Sequence, residues 1–290
     1  MRQTEYKVFE AAELFDFLVE KMPSASRKTI KNMLTHSQVT VDDKTVTQYN
    51  TKLAEGQVVA ITKQKVNKHK ANLKGVEILF EDDAIIVINK AAGVLSMAGK
   101  NPSELTAYRQ LTDYVKEIHP RQRLFIVHRL DRDTSGVMVF AKTEAAKETL
   151  QKNWHSDVKE RKYTAMVEGV VNERPGTVSS WLTEGKTLKV YSSPFDNGGK
   201  HAITHYKKLQ GNRHFSLLEV QLETGRKNQI RVHMQELGHS VVGDKKYGAR
   251  QNPLKRLGLH ATTLVFKHPI SQEVLRFNAP VPAAFLKQTR

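Results

Sequence analysis

Cysteine is absent from all 290 residues. That removes disulfide scaffolds, thiolate zinc sites, iron–sulfur clusters and cysteine nucleophiles together, and it suits a reducing compartment. Long apolar runs are missing too: none approaches the ~20 residues that span a bilayer. The first ten residues, MRQTEYKVFE, lack the apolar core of a signal peptide. A soluble, cytoplasmic protein is therefore expected. Acid is scarce relative to base, with 30 Asp and Glu against 46 Lys and Arg and a net charge of +16. Such an excess attracts polyanions, and most polyanions in a cell are nucleic acids. No G-x-x-x-x-G-K-[ST], G-x-G-x-x-G or H-E-x-x-H pattern occurs, and no G-x-S-x-G elbow.

What is present is enough apolar material, 39% of residues, for a packed core, and a length that implies about two domains. The stretch 63–74, KQKVNKHKANLK, holds five lysines and no acid. It has too little apolar surface to fold alone and reads as a basic, phosphate-binding linker between domains at 1–62 and 75–290. In the first domain Leu14, Phe15 and Leu18 share a helical face. Ser26 caps a second helix with Ile30, Met33 and Leu34 as its apolar stripe. Arg27, Lys28 and Lys31 lie largely on its other side, near a helix N-terminus whose N–H groups also face anions. VTVDDKTVT reads as a hairpin and GQVVAI as a strand.

From residue 75 strands outnumber helices and do not alternate with them. This predicts an α+β domain with a mixed or antiparallel sheet and flanking helices. ILFEDDAIIVINK reads as two strands, LFIVHRL as a buried strand, and GVMVFAKT, KYTAMVEGVV and HFSLLEVQLETG as further strands. LHATTLVFKHP and VLRFNAP form a closing hairpin. TEAAKETLQKNW reads as a helix capped by Thr143. RKNQIRVHMQELG reads as another, with Ile230, Met234 and Leu237 on one face and Gly238 closing it. His201 and His205 stand four apart, but on a strand that spacing is ~13 Å, too far for one metal ion.

The polar loop His128–Gly136, HRLDRDTSG, sits between two apolar strands, a common support for a site. Arginines flanking Asp131 favour its ionised form, and an ionised carboxylate can serve as nucleophile or base. An Asp–Arg ion-pair turn joining two strands is an equally good reading of the same residues. Downstream, GRKNQIR places Arg231 at the border of the buried face of its helix, where a guanidinium calls for a carboxylate. Asp131 is the obvious candidate. Tyr163 alternates with Ala165 and Val167 and reads first as a core tyrosine.

HRLDRDTSGVMVFAKT, KYTAMVEG and TGRKNQIRVHMQELGHSVVGDKKYG together resemble the signature regions of the RluA-type RNA pseudouridine synthases, over residues ~75–285. The front fifty residues resemble the alpha-L RNA-binding module of the S-four type. The resemblance implies isomerisation of uridine to pseudouridine within RNA, with no metal and no organic cofactor. It implies that Asp131 attacks the uridine, Tyr163 packs on the target base and Arg231 orients Asp131. It further implies that Arg129 fills the gap left by the flipped nucleotide, and His128 and Arg226, with Arg27, Lys28 and Lys31 in front, are expected to contact RNA. Ribosomal RNA of the large subunit is the first expected partner and transfer RNA the second, for a monomeric enzyme. Two departures stand out. Ala91 replaces the usual proline of N-K-P-A-G, which loosens a turn without touching the chemistry. Asn228 stands where histidine is frequent, which alters local contacts to RNA. Two other classes compete: a non-catalytic RNA-binding assembly factor, and a nucleoside- or glycoside-cleaving enzyme. The latter usually needs a second carboxylate, for which only Asp133 in the same loop offers itself.

Overall fold

A computed structural model describes residues 3–23, 25–35, 38–42, 44–46, 48–62, 73–99 and 104–290. The chain divides into two compact units, Met1–Asn72 and Leu73–Arg290. Of the expected linker, only Leu73 and Lys74 are among the described residues.

The first unit contains β1 (Gln3–Lys7), β2 (Ala12–Glu13), α1 (Leu14–Lys21), α2 (Arg27–Thr35), β3 (Val39–Val41), β4 (Lys44–Thr45), β5 (Lys52–Leu53) and β6 (Val58–Thr62). Four of its strands form a sheet in the order β1-β6-β3-β4. Ser26 does cap α2, its Oγ accepting from the Thr29 N–H at 3.1 Å. Ile30 and Leu34 are buried against Leu14, Phe17 and Leu18. Phe17, not Phe15, completes the buried face of α1. The i, i+3, i+4 triad of a helix runs 14, 17, 18, and Phe15 is left half-buried at its border. Strand β1 was not foreseen.

The second unit is built on an eleven-stranded sheet. Its elements are β7 (Val76–Glu81), β8 (Ile85–Lys90), α3 (Ala107–Ile118), β9 (Phe125–Ile126), β10 (Ser135–Ala141), α4 (Glu144–Lys152), α5 (Trp154–Asp157), β11 (Val158–Glu168), β12 (Gly176–Glu184), β13 (Val190–Ser193), β14 (Lys200–Gly211), β15 (Phe215–Leu222), α6 (Gln229–Glu236), β16 (Leu259–Lys267), β17 (Val274–Asn278) and α7 (Ala283–Gln288). The order is β13-β12-β14-β15-β11-β16-β10-β8-β7, with β17 beside β16 and β9 beside β10. Every pairing between these strands is antiparallel except β10 with β16, so the sheet is mixed.

Strand β10 is buried along its whole length, as a strand covered on both faces should be. Val137, Val139 and Ala141 pack with Ile85, Val87, Leu264 and Phe266 and with Ala146 and Leu150 of α4. Thr143 caps α4, accepting from the Ala146 N–H at 3.1 Å. A second cluster joins Ala165 and Val167 of β11 to Ile230 and Met234 of α6. The two halves meet at the short parallel joint, Gly136 opposite Ala261. Gly136 has φ +116°, and a Cβ there would stand 2.1 Å from the Ala261 carbonyl oxygen, so only glycine fits.

The expected strand LFIVHRL is cut short. Only Phe125 and Ile126 pair with β10. The next outward donor, the Val139 N–H, goes instead to His128 Nε2 at 3.1 Å. A side chain thus takes the ladder's place, and the backbone is released into a loop at Val127.

Candidate active site

The loop that enters β10 is tied from beneath by the segment after β8. Lys90 is fully buried. Its ammonium donates to the carbonyls of Ala91 at 3.0 Å, Val94 at 2.6 Å and Arg132 at 3.0 Å. Three carbonyls match the three donors of an ammonium. Burial lowers its pKa to about 8; Asp133 opposes that shift, Arg256 adds to it, and Asp131 opposes it. The Gly93 N–H also reaches the Arg132 carbonyl, at 3.0 Å. Ser96 Oγ donates to the Leu130 carbonyl at 2.7 Å and accepts from its N–H at 3.2 Å. The backbone on both sides of Asp131 is therefore fixed, and the Thr134 N–H closes a turn on the Asp131 carbonyl at 3.2 Å.

The Asp131 carboxylate meets the first turn of α6, about a hundred residues away in sequence. Its Oδ2 accepts from Arg231 Nη1 at 3.1 Å and from Asn228 Nδ2 at 2.6 Å. The side chain is 38% exposed, whereas that of Arg231 is 15% exposed. Arg231 turns its other edge to Asp244, whose carboxylate is 1% exposed. Nε donates to one oxygen at 2.5 Å and Nη2 to the other at 2.8 Å, a bidentate fork. Burial opposes the Arg231 charge, but the hydrogen bonds and charge of Asp244, then those of Asp131, outweigh it and raise the pKa. Tyr247 lies under the guanidinium, 5.0 Å from its ring centre. Lys227 and Lys246 add positive charge: together with burial and Arg231, Lys227 lowers the Lys246 pKa, while Asp131 opposes that shift. Lys227 itself pairs with Glu184.

Other expected residues sort less evenly. Tyr163 is half-buried against the cluster around α6; burial raises its pKa, Arg161 opposes that shift and Asp131 adds to it. The charges of the loop and of β11 thus both act on its hydroxyl. Arg129 is exposed, its guanidinium directed at Met97 Sδ at 3.8 Å. Arg226 donates through Nε to the His201 carbonyl at 3.0 Å. His128, expected on RNA, turns into the scaffold instead. It bonds the Val139 N–H, packs 4.8 Å from the Trp154 ring, and burial followed by the Arg161 charge lowers its pKa to about 3. It is a neutral structural acceptor. Arg27 and Lys31, exposed on α2, stand over the Phe15 ring at 5.9 and 5.7 Å. The side chain of Lys28 lies outside the described residues. His201 and His205 each bond a hydroxyl of the neighbouring strand, Ser179 and Thr177, at 2.9 Å.

Sequence reasoning missed Asp244, Tyr247, Lys90 and Arg161. Arg161, two residues before Tyr163, is half-buried and donates to the Glu223 carbonyl at 2.9 Å. The tight approach of Gly225 makes room for it, since a Cβ there would lie 2.5 Å from Nη1. The available signals were GDKKYG, shortly after α6, and a lysine ending the largely apolar strand β8.

This geometry holds one half-exposed carboxylate in a cationic frame beside a tyrosine. Among the described residues no group of three or more His, Asp or Glu side chains is placed to share a metal ion. A family model for RNA pseudouridylate synthase matches residues 84–236. The chain is 33% identical over 288 residues to a ribosomal large subunit pseudouridine synthase D of Vibrio cholerae, covering 94% of this chain and 88% of the relative. It is 34% identical over 265 residues to an uncharacterised RNA pseudouridine synthase of Bacillus subtilis, covering 89% and 86%. Among solved structures it is similar to human RNA pseudouridylate synthase domain containing 4, with TM-score 0.60 and 26% identity over 73% of this chain and 91% of that one.

Proposed function

Because the chain belongs to the RNA pseudouridylate synthase family, an isomerase family that converts uridine in RNA to pseudouridine, we propose that Asp131 is the group that opens the glycosidic bond. The carboxylate attacks the anomeric carbon of a uridine lifted out of its stack, a step that costs a few kcal/mol. Uracil leaves with the bonding pair, turns, and re-bonds to the sugar through carbon five. The carboxylate is released, carbon five loses its proton, and the base nitrogen freed from the sugar gains one, so that the product is an isomer of the substrate. Nothing is oxidised or reduced, and no outside group is consumed.

The observation that carries this reading is the Asp131–Arg231 pair at 3.1 Å, with the carboxylate still half open to a substrate. Arg231 supplies the counter-charge and the hydrogen bond that aim the nucleophile. Tyr163 packs against the target base and assists removal of the carbon-five proton. Arg129, exposed at the loop, fills the space the nucleotide leaves. Arg226 contacts the RNA backbone. His128 drops out of the RNA-contacting set, because both faces of its function are structural.

The N-terminal unit acts as an alpha-L RNA-binding module. In support, Arg27 and Lys31 lie exposed near the start of α2, where backbone N–H groups also favour phosphate. The target is ribosomal RNA of the large subunit, modified in the cytoplasm. What supports this is the name shared by the relatives from Vibrio cholerae and Haemophilus influenzae, ribosomal large subunit pseudouridine synthase D. Among the described residues no helix is long and apolar enough to cross a membrane. The test is to map pseudouridine in ribosomal and transfer RNA from cells with and without the gene. Loss of one or more sites in large-subunit RNA is expected; loss confined to transfer RNA overturns the target.

A further inference from the structure

We infer that Asn228 is a positioning residue that pins one oxygen of Asp131 and leaves the other, Oδ1, to attack. The inference rests on the reading of Asp131 as nucleophile and specifies how that nucleophile is presented.

Both donors that reach the carboxylate reach the same atom. Asn228 Nδ2 is 2.6 Å and Arg231 Nη1 3.1 Å from Oδ2. No described residue donates a hydrogen bond to Oδ1, although the side chain is 38% exposed. An oxygen accepting two donors has its lone pairs committed and its approach covered; the other keeps both. Arg231 cannot fix the carboxylate alone, since its Nε and Nη2 are committed to Asp244. A single Nη1 contact leaves the carboxylate free to swing about it. The second, shorter contact from Asn228 removes that freedom.

The amide of Asn228 is itself oriented. The Val190 N–H donates to the Tyr247 hydroxyl at 3.1 Å. The hydroxyl's own proton is thereby directed to Asn228 Oδ1, also at 3.1 Å. With its oxygen occupied, the amide must turn its NH₂ towards Asp131. Tyr247 is fully buried, and burial raises its pKa, so it remains a neutral donor. The Asn228 backbone has φ +53°, a left-handed conformation that asparagine tolerates better than most residues. From sequence, Asn228 is expected to alter contacts to RNA; its amide is also bonded to Asp131.

The step balances on these atoms. Oδ1 bonds to the anomeric carbon as the bond from that carbon to the base nitrogen breaks, its pair leaving with uracil. When carbon five takes the anomeric carbon, the Oδ1 bond breaks and its pair returns to the carboxylate. Oδ2 keeps its two donors throughout.

The experiment is single-turnover conversion of large-subunit ribosomal RNA transcribed in vitro by the full-length protein, with pseudouridine counted by mass spectrometry, RNA affinity measured separately, and Tm recorded. N228A is expected to slow conversion about 10–100-fold, the range for losing a hydrogen bond to a charged group, with RNA affinity nearly unchanged. N228D is isosteric and still accepts from Tyr247, but it sets a second carboxylate against Oδ2. It should slow conversion further and move the acid limb of the pH–rate profile upward by about a unit or more. N228H, whose ring N–H can donate and which also tolerates a left-handed φ, should restore most of the rate. Wild-type rates and pH profiles for N228A and N228D, beside an inactive D131N, overturn the role of Asn228 while the nucleophile stands. So does a loss that histidine fails to restore and that tracks a fall in Tm. A D131N protein converting RNA at the normal rate overturns the nucleophile and this inference together.

Discussion

Replacing Asp244 with alanine separates the two services of Arg231, to the fold and to the nucleophile. Asp244 is almost fully buried and holds two of the three Arg231 hydrogen bonds to carboxylates, at 2.5 and 2.8 Å. It also accepts from the Tyr247 N–H at 3.3 Å. Removing one partner of a buried ion pair costs about 3–5 kcal/mol. For a unit the size of Leu73–Arg290, each kcal/mol lowers Tm by roughly 2–4 °C, so D244A is expected to lose roughly 6–20 °C. Freed from its fork, the guanidinium has one carboxylate left, Asp131, and will engage both of its oxygens; conversion should fall although every group that contacts RNA is intact. The double variant R231M/D244A removes both buried charges, so it should recover part of the lost Tm without recovering activity. Differential scanning calorimetry and the conversion assay read the two effects separately. A D244A protein within about 2 °C of wild type, or a double variant less stable than the single, would refute the reasoning.

Two further outcomes follow from charge. His233 and His260 are buried and bonded to hydroxyls at 2.7–3.0 Å; burial lowers both pKa values from 6.5 to about 4. The unfolded chain therefore binds more protons between those values, so their contribution is whole above pH 6.5 and shrinks as pH falls towards 4. At pH 5 each removes about 2 kcal/mol. The urea midpoint should drop markedly from pH 7.5 to 5, and an unchanged midpoint contradicts the assignment. The variant R27A/K31A should keep its Tm but bind RNA more weakly, with a salt slope shallower by about 2; an unchanged slope removes the N-terminal unit from RNA binding.

Much of the scaffold was legible because it follows local rules. The apolar runs became β8, β10, β11, β15 and β16, and the i, i+4 pair Ile230 and Met234 set the buried face of α6. Arg231 at the border of that face, seeking a carboxylate, was legible too, and Asp131 does meet it. What escaped is non-local. Asp244 and Tyr247 lie in a turn whose spacing says nothing of what folds over it. One tie from Lys90 crosses 42 residues to the Arg132 carbonyl. His128 was read as part of a polar, RNA-facing motif, yet it substitutes for a strand hydrogen bond, a role that exists only once β10 is in place.

The most direct measurement of the central claim is product formation by D131N with the RNA that the wild-type protein modifies. Asparagine keeps the volume and can still accept from Arg231, so folding and RNA affinity should be nearly those of wild type while no pseudouridine appears. Pseudouridine formed at the wild-type rate would contradict the claim that this carboxylate performs the chemistry.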